Sequence, residues 1–100
     1  MRLVNRPLIE EFKKKHASAR AALDNWVDVV EGAHWKNLED VKQTFNSVDY
    51  VAPGYVFNVG GNNTRLFATI TFEIELVAVS SVETHAEYSK QRKGRSMRKK

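Results

Sequence analysis

The sequence predicts an α+β domain in which two N-terminal helices pack on a small, mostly antiparallel sheet, in the order β-α-α-β-β-β. A change of pattern along the chain supports this prediction. Apolar residues recur at helical spacing in the first half, whereas from Tyr55 onward β-branched and aromatic residues form short runs separated by turn residues. A length of 100 residues, of which 42% are hydrophobic and 28% charged, suits a single domain with one core.

The first half of the chain is predicted to contain a short strand at residues 2–4 and then two helices. The first helix begins near Asn5, Arg6 and Pro7, because proline is tolerated in the first turn of a helix. Ser18 is the predicted N-cap of the second helix, and Gly32 is the residue just past its end. The buried stripe of the second helix is predicted to consist of Ala22, Leu23, Trp26, Val27 and Val30.

A shorter helical turn and a loop are predicted to follow the second helix. Asn37 is a suitable cap for that turn, whose buried side is formed by Leu38, Val41 and Phe45. Residues 46–54 contain Asn, Asp, Pro and Gly, which are typical of a loop.

The second half is predicted to form three strands. YVFNV and RLFATITF flank the segment GGNN, whose composition is typical of a hairpin turn. Residues 73–75 form another turn, and LVAVSSVET is the last strand. Alternation along the middle strand places Leu66, Ala68, Ile70 and Phe72 on the core face, and Arg65, Phe67, Thr69 and Thr71 on the opposite, partly open face.

Charge is distributed unevenly along the chain. Residues 90–100 carry seven of the 16 Lys and Arg residues and none of the 12 acidic residues, so the preceding part has a net charge of −3. We expect residues 1–89 to form the folded domain and residues 90–100 to be a basic, flexible tail. Such a tail indicates either a polyanionic partner or a solubilising end.

Several classes of site and compartment are disfavoured by composition. The chain contains no cysteine, which excludes disulfides, thiol catalysis and cysteine-based zinc sites. The three histidines, His16, His34 and His85, have no metal-ligand spacing, and GGNN lacks the lysine of a phosphate-binding loop, so we expect no metal and no cofactor. No apolar run approaches the roughly 20 residues that span a bilayer, and charge interrupts the N-terminus before a signal-peptide core, so no membrane partner is expected.

Polar residues are predicted to converge at one end of the sheet. If the last two strands pair antiparallel, Arg65 approaches Thr84 and His85, with Tyr88 three residues further on. An arginine fork suits a phosphate, histidine moves protons near neutral pH, and tyrosine stacks on a base or transfers a proton. The alternative is structural: Arg65 pairs with an acid such as Glu83 or Glu87, His85 is a polar strand-end residue, and Tyr88 covers the core edge.

The segments YVFNVGGNNTRLFATITF and VSSVETHAEY, with WKNLEDVKQTF upstream, resemble the HigB family of bacterial type II toxins within the RelE-like superfamily. The resemblance covers residues 35–90 well and the first helices loosely. It implies a RelE-like fold and a metal-independent, ribosome-dependent mRNA endonuclease in the bacterial cytoplasm. It also implies a HigA-like helix-turn-helix antitoxin, which alone would contact operator DNA.

The same resemblance implies roles for individual residues. Arg65 would hold the scissile phosphate, while His85 and Tyr88 would transfer protons or orient the nucleotide. Thr64 departs from the family, which often has an aromatic residue there, and the basic pair of RelE has no convincing counterpart. Lys36, in a predicted helical segment, is the nearest candidate. The remaining predicted RNA contacts are Asn62 of the GGN motif and, in the tail, Lys90, Arg92, Lys93 and Arg95.

Two other functions remain open at this point. The chain could be a non-catalytic module that binds RNA or the ribosome with the same fold. It could also be a structural partner of a DNA-binding regulator.

Overall fold

The structure, a computed structural model, describes residues 1–60, 63–84 and 86. These residues form three α-helices and five strands, with short 3₁₀ turns at Ala17–Ala19 and Phe72–Ile74. The helices are α1 (Arg6–Lys15), α2 (Arg20–Gly32) and α3 (Leu38–Thr44). The strands are β1 (Arg2–Val4), β2 (Asp49–Val51), β3 (Gly54–Val59), β4 (Thr64–Thr71) and β5 (Leu76–Thr84).

The strands form one sheet in the order β1-β5-β4-β3-β2. Strand β1 runs parallel to β5, and every other neighbouring pair is antiparallel. The predicted α+β class and the mostly antiparallel sheet are therefore confirmed. The prediction that β4 and β5 pair through the turn after Phe72 is also confirmed.

Strand β2 lies inside the stretch 46–54 that was predicted to be a loop, so that prediction was wrong. Tyr50 pairs with Tyr55 across the short β2–β3 hairpin, and their ring centroids lie 5.1 Å apart. The hairpin turns through a cis Ala52–Pro53 peptide bond. A three-residue strand is too short to show alternation, and its pairing depends on a partner strand that follows the turn.

Helix boundaries differ from prediction at α2. Ser18 lies in the 3₁₀ turn and is not the N-cap, since Ala19 holds that position and α2 begins at Arg20. Gly32 is the last helical residue rather than the residue beyond it. Ala33 follows in an extended conformation with φ −86°, so the helix ends without the left-handed conformation that favours glycine.

The predicted helical turn capped by Asn37 is confirmed as helix α3. The Asn37 side chain accepts a hydrogen bond of 3.0 Å from the backbone N–H of Asp40, which satisfies an otherwise unpaired donor in the first turn. Val41 is fully buried, and Leu38 and Phe45 pack against the core from partly buried positions.

The helices and the sheet enclose one core on the helix-covered face of the sheet. Within it, four aromatic rings stack or meet edge to face at centroid distances of 5.3–6.5 Å; they belong to Trp26, Trp35, Phe45 and Phe57. On β4 the predicted core face is confirmed, because Leu66 and Ala68 are buried and Ile70 packs against the core. The opposite face of β4 carries Arg65, Phe67, Thr69 and Thr71, all partly or fully exposed.

Candidate active site

Arg65 is the second residue of β4 and lies close to one end of the sheet. It pairs with Asn58 on β3 and with Glu83 on β5, while the neighbouring Thr64 pairs with Thr84. The predicted approach of Arg65 to Thr84 is therefore confirmed by the strand register. His85, the next residue along the chain, lies outside the described residues.

Asn58, Arg65 and Glu83 form a polar row across three strands of the open face. Directly opposed residues of antiparallel strands have Cβ atoms about 4.5–5.5 Å apart, so the amide, guanidinium and carboxylate groups are close neighbours. All three residues are half-buried. The Nη1 atom of Arg65 and the Oε1 atom of Glu83 are buried from solvent. Charge in this row is thus partly removed from water, which strengthens the attraction of the guanidinium both for the Glu83 carboxylate and for a bound anion.

A second row, formed by Val56, Phe67 and Ser81, lies beside the polar row on the same face. Phe67 is half-buried and is two residues from Arg65, so one strand presents an aromatic ring and a guanidinium side by side. Thr64 faces the helix-covered side and is only 2% exposed. Alternation along β4 therefore makes position 67, not position 64, the aromatic position on the face of Arg65.

Lys36 does not lie beside Arg65. It occupies the coil between α2 and α3, so the prediction of a helical segment there was wrong. The reason is that α2 ends at Gly32 and α3 begins only after the Asn37 cap. Lys36 lines a groove of about 410 Å³ with Phe72 and Glu73, beyond the far end of β4. Six residues of strand, 66–71, separate Arg65 from that end, or roughly 20 Å.

The other predicted site residues fall outside the described part of the chain. No position or contact is therefore assigned to them, and their roles stay predictions. They are Asn62, His85, Tyr88, Lys90, Arg92, Lys93 and Arg95.

The side chains of Glu75 and Tyr55, which lie away from Arg65, have pKa values that are shifted by a neighbouring residue or by burial. A hydrogen bond from His34, with Nδ1 and Oε1 3.0 Å apart, lowers the pKa of Glu75. Burial raises the pKa of Tyr55, with a smaller contribution from Tyr50. Within residues 1–60, 63–84 and 86, no group of three or more histidine or acidic side chains is arranged to hold a metal ion.

Two neighbours of Arg65 in the candidate site, Asn58 and Phe67, were not predicted from the sequence. The signal for Phe67 was present, because alternation places it on the face of Arg65. Asn58 required the exact register of the hairpin, which depends on the loop between β3 and β4. Glu83 was considered only as a possible structural partner of Arg65, and the register places it directly opposite.

The fold and the polar row define a small α+β domain whose open sheet face presents an arginine that can bind an anion. Residues 19–91 match the HigB toxin family, described as the RelE-like toxic component of a toxin-antitoxin system. The chain belongs to this family.

Curated relatives agree with the family assignment. The mRNA interferase toxin HigB of Escherichia coli K12 is 31% identical over 91 residues, which cover 88% of each chain. The mRNA interferase HigB of Shigella flexneri shows the same identity and coverage. The mRNA interferase HigB of Escherichia coli O6:H1 is 30% identical over 93 residues, or 90% of each chain.

Family membership confirms the predicted resemblance and implies an antitoxin partner. In the described ranges, no helix combines the length and the apolar character that crossing a membrane requires.

Proposed function

We propose that this chain cleaves translated mRNA on the ribosome, with Arg65 bound to the scissile phosphate. That it is an mRNA-cleaving toxin of a toxin-antitoxin system follows from its family and from the names of its relatives. The dependence on the ribosome, the mechanism and the roles of individual residues belong to the proposal. The observation that carries it is the half-buried arginine on the open face of the sheet, opposite Glu83.

The proposed reaction uses the RNA's own 2′-hydroxyl as the nucleophile. The 2′-oxygen loses its proton and attacks the adjacent phosphorus, and the bond from phosphorus to the 5′-oxygen breaks. The departing oxygen takes up a proton, which leaves a 2′,3′-cyclic phosphate and a free 5′-hydroxyl. Catalysis therefore requires a proton acceptor, a proton donor and a cation beside the crowded phosphorane.

Arg65 is suited to stabilise the phosphorane. Its planar fork donates two parallel hydrogen bonds to phosphate oxygens, and these bonds strengthen as charge develops. Partial burial of the guanidinium and the adjacent Glu83 limits its rotation and reduces screening by water. Phe67 lies on the same face, in the row next to that of Arg65.

We assign proton transfer to His85 and positioning of the 2′-hydroxyl to Tyr88. The support is their place in the sequence, directly after strand β5, whose end pairs with the start of β4. Histidine is the side chain best matched to proton transfer near neutral pH.

The partners follow from the same proposal. The antitoxin would be a HigA-like helix-turn-helix protein that also binds operator DNA. The chain would act in the bacterial cytoplasm, where the ribosome and the message are found.

Substitution of Arg65 tests the proposal. The wild-type protein, Arg65→Ala and Arg65→Lys would be induced in a bacterial host, and 5′-ends would be mapped on translated messages. We expect wild-type cuts in register with codons and a loss of about 100-fold or more for Arg65→Ala, because removal of one donor to a developing charge has that effect. Arg65→Lys should recover little, since it lacks the fork.

Arg20→Ala is the matched control, because it removes the same charge from an exposed position on α2. Growth arrest that persists in a folded Arg65→Ala protein would show that the assigned mechanism is wrong and would favour a non-catalytic RNA-binding module. A wild-type protein that is harmless without its partner would favour a structural role in a complex.

A further inference from the structure

A groove lies between helix α1 and the later part of strand β5. Leu8, Glu11, Phe12 and Lys15 share one helical stripe, since they recur at intervals of three and four residues. With His16, Ser80, Ser81 and Val82 they line a cavity of about 270 Å³. That volume is near the lower end of small-ligand pockets, which suits one base rather than a larger group.

The groove exists because β1 is short. Strand β1 pairs only with Leu76, Val77 and Ala78, so in the described part of the chain α1 rather than a strand lies beside the rest of β5. The register between β4 and β5 shifts between Phe67 and Ala68, which leaves Ser80 as an extra residue in a bulge. Bulges often lie next to functional sites, where they redirect side chains. Here the bulge places two consecutive serines in the lining of the groove.

A smaller cavity of about 80 Å³ continues the groove toward the sheet end that contains Arg65. It shares Phe12 and His16 with the larger cavity and reaches Thr64 and Thr84, the pair beside the Arg65 row. The imidazole of His16 is stacked on the ring of Phe12, with centroids 4.3 Å apart. Thr64, which is 98% buried, is one of the residues that line this small cavity.

Of the three consecutive lysines 13–15, only Lys15 lines the larger cavity of the groove and gives it a positive charge. Lys13 forms ion pairs with Asp24 at 2.6 Å and with Glu10 at 3.3 Å. Lys15 lines the groove and has no carboxylate within ion-pair distance among the described residues. Lys14 lines neither cavity. Glu11 is the acidic group of the lining, and it lies one helical turn before Lys15.

We propose that the α1–β5 groove is a second nucleotide subsite, which holds the mRNA nucleotide next to the scissile phosphate. This inference rests on the proposed function, because it leads one substrate strand from Arg65 on the open face to the edge of β5 that faces helix α1. Strand spacing and rise place Ser81 roughly 8 Å from Arg65, so adjacent nucleotides can occupy the two positions.

Each chemical part of a nucleotide has a suitable group in the subsite. Lys15 binds the flanking phosphate, and the hydroxyls of Ser80 and Ser81 hydrogen-bond the ribose. The base enters the larger cavity beside His16, where Glu11 accepts a hydrogen bond from an exocyclic amine. The subsite therefore favours adenine, cytosine or guanine over uracil at the position next to the cut.

The test compares Lys15→Gln, Glu11→Gln and the control Lys14→Gln with the wild-type protein in a translation reaction with purified components. Cleavage rates at varied message concentration separate KM from kcat, and 5′-end mapping gives the base beside each cut. We expect Lys15→Gln to raise KM about tenfold with little change in kcat, because it removes a charged contact to the substrate. Glu11→Gln should increase the share of cuts next to uracil, and Lys14→Gln should change neither quantity by more than about twofold. Thermal unfolding confirms that each variant is folded.

The subsite would be overturned if Lys15→Gln and Glu11→Gln had the same KM and base preference as Lys14→Gln. Cleavage by the wild-type protein in that experiment would leave the proposed function intact. The subsite would also be overturned if Lys15→Gln weakened binding to the ribosome but left base preference unchanged, and left KM unchanged at saturating ribosome concentration. Lys15 would then contact ribosomal RNA rather than the message. Loss of antitoxin binding alone would overturn it in favour of a protein-docking groove. A wild-type protein that cuts no message would overturn the proposed function itself.

Discussion

Asn5 connects the first helix to the sheet through one side chain in an unusual backbone conformation. Its φ is 67°, in the left-handed region, at the N-cap of α1. Its Nδ2 donates a hydrogen bond of 3.0 Å to the carbonyl oxygen of Val79, just beyond the part of β5 that β1 covers. Asparagine tolerates this conformation better than most residues, so it serves both the turn and the strand edge. Because α1 forms one wall of the α1–β5 groove, Asn5 also sets the position of that wall.

Two substitutions separate the contributions of Asn5. Asn5→Ala should lower the free energy of unfolding by about 2 kcal/mol, because it loses the hydrogen bond and places a less tolerant residue in the left-handed region. Asn5→Gly should lower it by only about 1 kcal/mol, because glycine adopts this conformation freely. Urea denaturation monitored by tryptophan fluorescence gives both values. Equal losses for the two variants would show that the backbone conformation contributes little.

Prediction from the sequence was strongest at the residue scale where alternation or periodicity fixed a face. Arg65 was placed on the open face and Leu66 on the core face because adjacent strand residues point in opposite directions. Lys36 was misplaced because a single lysine between two apolar runs carries no signal for the end of one helix and the cap of the next. The pairing of Arg65 with Glu83 across β4 and β5 required a register that local sequence does not encode.

At the scale of helices and strands, the sequence predicted elements with a strong local pattern, whereas elements that depend on tertiary packing were missed. The stripe of α2 was predicted correctly for Leu23, Trp26, Val27 and Val30, since a long amphipathic period is a strong signal. The edge strand β2 was missed because it is stabilised by its partner β3 rather than by its own three residues. Its hairpin brings the chain so close to β4 that Gly54 has no room for a side chain. A Cβ atom at that position would lie 2.8 Å from the carbonyl oxygen of Ala68.

Gly54 and Gly32 form a matched pair of glycines for testing this close approach. Gly54→Ala should lower the free energy of unfolding by about 1–3 kcal/mol, because the strand must move away from a backbone oxygen. Gly32→Ala should raise it by about 0.5–1 kcal/mol, because no atom lies within 4 Å of the new Cβ and alanine favours the helix. Denaturant midpoints of the two variants provide the comparison. A Gly54→Ala protein as stable as wild type would mean that β2 and β3 shift without cost.

At the scale of the whole molecule, positive charge is concentrated in the last eleven residues of the sequence. The first 89 residues have a net charge of −3, whereas residues 90–100 carry seven positive charges and no negative one. The net negative charge of residues 1–89 disfavours nonspecific binding of RNA to the surface of this part of the chain. Affinity for a polyanion must therefore come from local cations such as Arg65 and Lys15, or from the basic segment.

Deletion of residues 90–100 tests the contribution of that segment to ribosome binding. Each phosphate contact adds about 0.7–0.9 to the slope of log affinity against log salt concentration, so removing up to seven contacts should weaken association and flatten the slope by several units. A variant with the seven Lys and Arg residues replaced by Gln keeps the length and isolates the charge. Co-sedimentation with ribosomes from low to physiological salt measures both quantities. An unchanged slope would exclude contact between this segment and ribosomal RNA, and a loss of antitoxin binding in the same variants would assign the charge to the antitoxin instead.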